Sequence, residues 1–303
     1  MTEIAVCFPL TESQIQRLRA GTVGHSLKVM APDEPCDCAI VFGNPEPDVI
    51  ATNSSLRWLQ LESVGLGEYL GLNWNRPAGS VRVTNLAGFF ANPAAESALA
   101  GILALYRAID RLVNLQTRAE WQGGTVRPHM RQLAGARVAL FGHGSINRRL
   151  ADLLAPFGCT ITPLASNWTD ETLNSAVSNA DIIVTTVPAT PLTEGIFDAA
   201  RFARMQAGAI FCNFGRGSAV DEPALNAALR SGHLGGAVID VTRQEPLPPD
   251  HPFWTCPNLL LTQHSGGGTS DEIERKIDFF LANLAQFHAG RPLTSLVDFS
   301  RGY

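Results

Sequence analysis

The sequence predicts an α/β protein, with a doubly wound parallel sheet in one domain and a second, smaller α/β domain. Three observations predict it. Ala136 to Ala151 reads A-R-V-A-L-F-G-H-G-S-I-N-R-R-L-A, an apolar strand, a glycine turn and a helix in immediate succession. Downstream, short apolar runs without polar alternation recur between helix-period segments, the pattern of strands buried on both faces. Finally, 303 residues, 45% of them hydrophobic, exceed what one ordinary core absorbs, so two domains are expected.

Taken in order, Met1 to about Ala95 reads as an α/β unit of its own. Strands are expected at Ile4–Phe8 and Ala39–Phe42, and a helix at Thr11–Ala20 with Thr11 or Ser13 as its cap. Leu56 to Leu66 (L-R-W-L-Q-L-E-S-V-G-L) is a strand running into a glycine turn at Gly65 and Gly67. Such a turn either presents bare backbone N–H groups to a small anion or is simply tight. A helix opens at Asn92-Pro93, with Glu96 near its positive end, and runs through Arg107, crossing from the first domain into the second. The polar, glycine-broken stretch Gly123–Gly135 is expected to be a linker.

The second domain opens with the strand Val138–Phe141, turns on Gly142 and Gly144, and continues as a helix through Ile146, Leu150, Leu153 and Leu154. Glycine lets the backbone turn without a Cβ in the way, and the helix N-terminus offers unpaired N–H groups to a pyrophosphate. The fingerprint G-x-G-x-x-G expects a third glycine, and Asn147 stands there instead. Further strands are expected at Thr160–Leu164, Asp181–Pro188, Ala209–Phe214, Gly236–Val241 and Leu259–Thr262.

Composition narrows the function. A formal net charge of −5 and the lack of any basic run argue against a nucleic-acid footprint or an anionic membrane surface. The N-terminus MTEIAVCFPL has neither a positive n-region nor a long apolar segment, so no secretory signal is expected. The longest apolar tract, Ala98–Leu105, is too short to span a bilayer. The six cysteines form no CxxC pair and no cysteine–histidine cluster, so reduced thiols in a cytoplasmic protein, and no metal, are expected.

Three charged or titratable residues follow successive strands: Arg216 in C-N-F-G-R-G-S-A-V-D-E, Glu245 in V-I-D-V-T-R-Q-E-P-L-P and His264 in L-L-L-T-Q-H-S-G-G-G. Each has an ordinary explanation as a solvated arginine, an exposed carboxylate or a hydrogen-bonded structural histidine. Their joint position is what points to chemistry, because ligands bind in the crevice outside the carboxyl ends of the strands in open α/β sheets.

Together these stretches resemble the D-isomer-specific 2-hydroxyacid dehydrogenases over nearly the whole chain. R-V-A-L-F-G-H-G-S-I is similar to that family's cofactor turn, and T-T-V-P-A-T-P-L-T to its phosphate-side loop. N-F-G-R-G-S-A-V-D-E, D-V-T-R-Q-E-P-L-P and T-Q-H-S-G-G resemble its arginine, glutamate and histidine signatures, and L-R-W-L-Q-L-E-S-V-G-L its substrate-carboxylate loop. The ending V-D-F-S-R-G-Y resembles the tail of glyoxylate/hydroxypyruvate reductase-like members.

The resemblance implies a Rossmann-type dinucleotide-binding domain over 96–274 and a flavodoxin-like substrate domain over 1–95 and 275–303. It implies reduction of a small 2-oxo acid to the D-2-hydroxy acid, with hydride from nicotinamide and a proton from His264. Histidine suits that step because its ordinary pKa lies near neutrality. Glu245 would orient and stabilise the imidazolium. Arg216 would grip the substrate carboxylate, shared with the backbone at Val64 and Gly65. Domain closure would exclude water. Cofactor contacts are implied for Gly142, Gly144, Ser145, Ile146, Ser166, Val187, Pro188, Thr193, Phe214, Asp240, His264 and Gly266. The family's two-fold homodimer is implied as well. Phe89, Phe90 and Trp58 either shape the substrate pocket or pack the core.

Departures from the family pattern carry expectations of their own. Asn147 in place of the third glycine would set the helix farther from the strand, and Gln263 in place of a proline would leave the backbone before His264 less fixed. After the strand ending at Leu164 the chain reads Ala165-Ser166-Asn167, with no acid until Asp170. The acid that holds the ribose hydroxyls in NAD-selective members is therefore missing, which leans the cofactor toward NADP over NAD. Alternatives to the reductase are a phosphoglycerate dehydrogenase-like enzyme, here ending at Tyr303 without a regulatory tail, and a non-catalytic dinucleotide-sensing protein. A formate-dehydrogenase-like member would pair its histidine with glutamine, which Glu245 argues against.

Overall fold

A computed structural model of the chain describes residues 2–76 and 79–299. Its backbone divides into two units, Met1–Phe89 with Thr269–Tyr303, and Phe90–Gly268. Ser300 to Tyr303, the end of the V-D-F-S-R-G-Y stretch, lie outside the described residues.

In the first unit, strands β1 (Glu3–Cys7), β2 (Ser26–Val29), β3 (Ile40–Gly43), β4 (Trp58–Gln60) and β5 (Arg82–Thr84) form one sheet in the order β2-β1-β3-β4-β5. Every pairing in it is parallel, a flavodoxin-like arrangement. Helix α1 (Glu12–Gly21) is capped by Thr11, whose side chain accepts from the Gln14 N–H while Gln14 reciprocates. One face of the sheet packs on the long C-terminal helix, Glu272–His288, through Ile277, Phe280, Leu284 and Phe287. Trp58 belongs to that core. It is fully buried, stacks on Phe280 at 5.2 Å and Phe287 at 5.3 Å, and donates from Nε1 to Thr84 Oγ1. Its pocket-shaping role is thereby excluded, since no part of the ring reaches the surface.

The second unit holds six parallel strands: β6 (Arg137–Phe141), β7 (Thr160–Leu164), β8 (Ile182–Thr185), β9 (Ile210–Asn213), β10 (Gly236–Ile239) and β11 (Leu259–Leu261). They run β11-β10-β9-β8-β6-β7. Hydrophobic clusters cover both faces, which is why β8, β9 and β10 are buried at every residue and show no alternation. The order reverses at β6, whose neighbours are β7 on one side and β8 on the other. That switch point is where such sheets bind ligands.

Two expectations about boundaries change. The helix Ala91–Tyr106 lies wholly within the second unit, so it does not cross between units; the units divide at 89/90 and 268/269, not at 95/96 and 274/275. The cause is packing: Ala95, Ala98 and Ile102 are buried in the second unit's core, and Gly101 sits so close to β10 that a Cβ there would come 2.7 Å from Val238 Cγ1. Its first turn contains Pro93 but no acid, Glu96 falling one turn later. Gly123–Gly135 is not a plain linker either, because Gly123–Val126 and Arg127–His129 form short helical turns.

All six cysteines are free thiols, and burial pushes Cys7 up to about 12 and Cys212 upward too, so both stay protonated. Among the described residues no His/Cys/Asp/Glu group suits a metal ion, and no helix is long and apolar enough to cross a membrane.

The start of β6 is fixed by Asp181, whose carboxylate accepts from the Arg137 backbone N–H and from Nε and Nη2 of the same arginine at 2.7–3.0 Å. The Arg137 guanidinium holds this carboxyl below its usual range. A depressed folded pKa stabilises above the unfolded value, about 3.9, and that stabilisation is lost as pH falls through the folded one. Asp181→Asn should therefore melt below the wild type at pH 7, with the gap closing toward pH 3. A gap that ignores pH would show that ionisation is not its source.

Candidate active site

The second unit's carboxyl edge is assembled from turns that touch. After β6 the chain enters Gly142 at φ +93°, the left-handed region where a Cβ is strained, and a Cβ there would also come 3.1 Å from Thr186 Oγ1. Helix α2 (Ser145–Leu154) follows with Gly144 as its N-cap and, among the described residues, no side chain capping it, so its first-turn N–H groups meet no side-chain acceptor there. Space where a Gly144 Cβ would stand is open, and Thr186 Oγ1 beside the turn is buried without a partner among the described residues. Open backbone donors, an open approach and an unsatisfied hydroxyl fit a dinucleotide pyrophosphate laid against Gly142, Gly144, Ser145 and Ile146.

Asn147 does not leave a gap. It is fully buried and donates from Nδ2 to the Phe141 carbonyl at 3.1 Å and the Gly142 carbonyl at 2.7 Å, tying helix to strand where the fingerprint has glycine.

The loop after β8 carries Val187, buried, and Pro188, whose carbonyl accepts from Thr193 Oγ1 at 2.6 Å. The next loop lies directly on it: a Cβ on Gly215 would meet the Val187 carbonyl oxygen at 2.6 Å. On its other side, a Cβ on Gly217 would fall 2.0 Å from the Thr242 carbonyl carbon, closer than any contact permits. Between these two contacts stands Arg216. Asn213, fully buried at the end of β9, accepts from the Gly215 N–H and donates to the Arg216 carbonyl, each at 3.0 Å. Sequence reasoning gave Asn213 no role; a buried amide two residues before a functional glycine turn was the available signal.

The loop after β10 positions Glu245. Its Oε1 accepts from the Thr242 N–H at 2.9 Å, and its Oε2 lies 2.6 Å from His264 Nδ1. Asp240, at the end of β10, is buried and its Oδ1 accepts from Thr262 Oγ1 at 2.5 Å and the Gly266 N–H at 2.9 Å. Gly266 also abuts Phe214, with 2.9 Å from a virtual Cβ to Cε1. Gln263 and His264 both have positive φ, +53° and +54°. Each such non-glycine conformation costs on the order of 1 kcal/mol. Far from being loose, the segment is held by the His264 N–H donating to the Asp240 carbonyl at 2.6 Å and the Ser265 N–H to the Thr262 carbonyl at 3.0 Å. A proline at 263 could not adopt this φ.

The structure thus brings Glu245 and His264 into direct contact, with Arg216, Val187, Phe214, Asp240 and Gly266 on the loops that abut them. Arg216 itself donates from Nη1 to the Gly215 carbonyl at 2.7 Å. Ser166 and Asn167 stand apart, exposed on the loop after β7.

In the first unit, the loop after β4 has the carbonyls of four successive residues engaged. Those of Ser63, Val64, Gly65 and Leu66 accept from the Leu86 N–H, Asn85 Nδ2, Ser63 Oγ and the Tyr69 N–H. Val64 and Gly65 are exposed. The Ser63, Val64 and Gly65 N–H groups donate to no partner among the described residues, an arrangement suited to an anion.

The family model for the D-isomer specific 2-hydroxyacid dehydrogenase NAD binding domain matches residues 99–266, more than half of the chain. Glyoxylate/hydroxypyruvate reductase A of Yersinia enterocolitica is 29% identical over 284 residues, 89% of this chain and 88% of that protein. Hydroxyphenylpyruvate reductase of Plectranthus scutellarioides is 33% identical over 224 residues, 72% of this chain and 71% of that one. A D-isomer specific 2-hydroxyacid dehydrogenase from Xanthobacter autotrophicus Py2, solved with NADPH and MES, aligns with TM-score 0.80 and 25% identity, covering 100% of this chain and 99% of its own. The chain belongs to the D-isomer specific 2-hydroxyacid dehydrogenase family and is an oxidoreductase of that type.

Asn147→Leu removes two buried donor bonds; the Phe141 carbonyl keeps the Thr186 N–H but the Gly142 carbonyl loses its donor, which should cost about 1–3 kcal/mol. Urea denaturation checks this; unchanged stability would mean that the Gly142 carbonyl finds another donor.

Proposed function

We propose that the protein reduces a small 2-oxo acid, glyoxylate or hydroxypyruvate first, to the D-2-hydroxy acid at the expense of NAD(P)H. The observation that carries this reading is the 2.6 Å contact between His264 Nδ1 and Glu245 at the carboxyl edge of a sheet whose adjacent turn fits a dinucleotide. The named activities of the Yersinia and Plectranthus relatives support the substrate class.

When bound, the cofactor supplies the hydride. Because Nδ1 of His264 faces Glu245, Nε2 is the nitrogen left to give a proton to the carbonyl oxygen as negative charge gathers there. Glu245, fixed by the Thr242 N–H, orients the ring and stabilises the imidazolium form. Arg216 grips the substrate carboxylate and polarises the carbonyl, and in the first unit the Val64–Gly65 loop is itself suited to a small carboxylate. NADP is favoured over NAD because the Ala165–Asn167 loop is exposed and carries no acid to repel a 2′-phosphate.

We further propose a homodimer acting in the cytoplasm. Fully exposed Trp121, together with Ile109 and Val113 one turn apart on the helix Ile109–Thr117, supports a covered apolar surface; six unpaired thiols support the compartment.

NADPH and NADH oxidation should be recorded with glyoxylate and with hydroxypyruvate, beside a His264→Gln variant. Turnover in the wild type and a kcat loss of about 10²–10⁴ in the variant are expected, with NADPH binding retained. Cofactor binding without turnover on either substrate would sink this assignment and favour a larger 2-oxo acid or a sensor. Ser166→Asp should shift the cofactor preference toward NADH. For the assembly, Trp121→Glu should halve the mass in light scattering; a monomeric wild type would overturn the dimer.

A further inference from the structure

Lys276 is a cation almost wholly removed from water, at 7% exposure, in the middle of the C-terminal helix Glu272–His288. A buried ammonium is retained only when paired. Its Nζ lies 2.8 Å from Glu272 Oε1, one turn back on the same helix, and 3.4 Å from Glu62 Oε2. Glu272 could satisfy the lysine locally, so the second pair calls for its own explanation. Glu62 is the residue immediately before Ser63–Gly65, the stretch with its carbonyls engaged and, among the described residues, its N–H groups undonated.

The remaining bonds show how that loop is hung. Asn44 accepts from the Glu62 N–H at 3.1 Å and donates to Ser63 Oγ at 3.1 Å; Ser63 Oγ then donates to the Gly65 carbonyl at 2.9 Å. Asn85 donates to the Val64 carbonyl at 2.9 Å. Each of these holds the loop from the sheet side. The Lys276–Glu62 pair is an anchor from the helix side, and it also neutralises a carboxylate that sits at the base of an anion-binding loop. Freed of the lysine, that carboxylate would be driven to swing toward solvent, dragging Ser63 with it and repelling an incoming carboxylate.

We propose that Lys276 is a positioning residue for substrate: through Glu62 it sets the Ser63–Gly65 donors that receive the substrate carboxylate. The proposal rests on the 2-oxo acid reading only in naming that ligand. The chemistry itself asks for a small carboxylate.

The test uses the full-length enzyme with NADPH, oxalate as a non-reacting carboxylate in calorimetry, and glyoxylate in kinetics. Thermal melting establishes that each variant is folded. Glu62→Ala leaves Lys276 paired with Glu272, so it keeps the lysine satisfied while cutting the anchor. It should weaken oxalate about fivefold or more and raise the glyoxylate KM alike, with kcat within about twofold and NADPH affinity unchanged. Lys276→Met should weaken oxalate further, by about tenfold or more, because it leaves a bare carboxylate. The double variant should match Glu62→Ala, because the two residues act through one contact. Oxalate binding in Glu62→Ala equal to or tighter than wild type would overturn the proposal, since loss of a negative charge alone predicts tightening. Additive losses in the double variant would overturn it too, and should Lys276→Met fail to fold, Glu62→Ala decides alone. A wild type that binds oxalate but turns over no 2-oxo acid would retire the reductase reading and leave the loop assignment standing. A wild type that binds no oxalate overturns the assignment.

Discussion

Backbone contact between neighbouring loops is the constraint on which the candidate site depends. The turn at Gly217 lies against the Thr242 carbonyl so tightly that no side-chain carbon fits between them. Parallel strands about 4.8 Å apart deliver their loops to one edge, but delivery alone would leave Arg216, Glu245 and His264 on separate surface loops. Close approach turns that edge into one piece. The Arg216 loop is wedged between the Val187 backbone and the Thr242 backbone, and Thr242 in turn holds Glu245 against His264.

Charge is distributed over this edge by burial. Asp240 is hidden and spends Oδ1 on Thr262 and the Gly266 N–H, so it works as a structural tie for the histidine loop. Glu245 and His264 stay partly open, their side chains 35% and 55% exposed, which suits the proposed role of meeting a substrate. Direct contact at 2.6 Å, with a backbone N–H on the other carboxylate oxygen, gives the ring a defined orientation despite that exposure.

Two of the three departures from the family pattern are accommodated by local chemistry. Where a third glycine would bring helix and strand together by absence, Asn147 does so by two hydrogen bonds from one buried amide. Where a proline would stiffen the approach to the histidine, Gln263 takes a left-handed conformation closed to proline, and the Asp240 carbonyl holds the next N–H. In both places a change of side chain is met by a different use of the same backbone groups.

Much of this was legible in the chain. Uninterrupted apolar runs marked β8, β9 and β10, because a strand covered on both faces has no polar side to alternate with. Glycine, arginine, glutamate and histidine placed after the sheet's strands marked the edge that carries the candidate site, because strand ends in a parallel sheet converge by topology. Other features were invisible there. The helix Ala91–Tyr106 was read as a crossing element because periodicity reports an apolar face and not which core it faces. Trp58 was open to two readings because the same ring suits a pocket or a core. Asn213 and Lys276 carry no local signature, since their roles come from partners distant in space or turned inward. Sequence by itself determined which residues are apolar, which can turn and which can move a proton; these are properties of single residues and their spacing. Only the tertiary structure decided which backbones touch, which amide fills the place of a glycine and which carboxylate a buried lysine serves, because those depend on distances that no local pattern encodes.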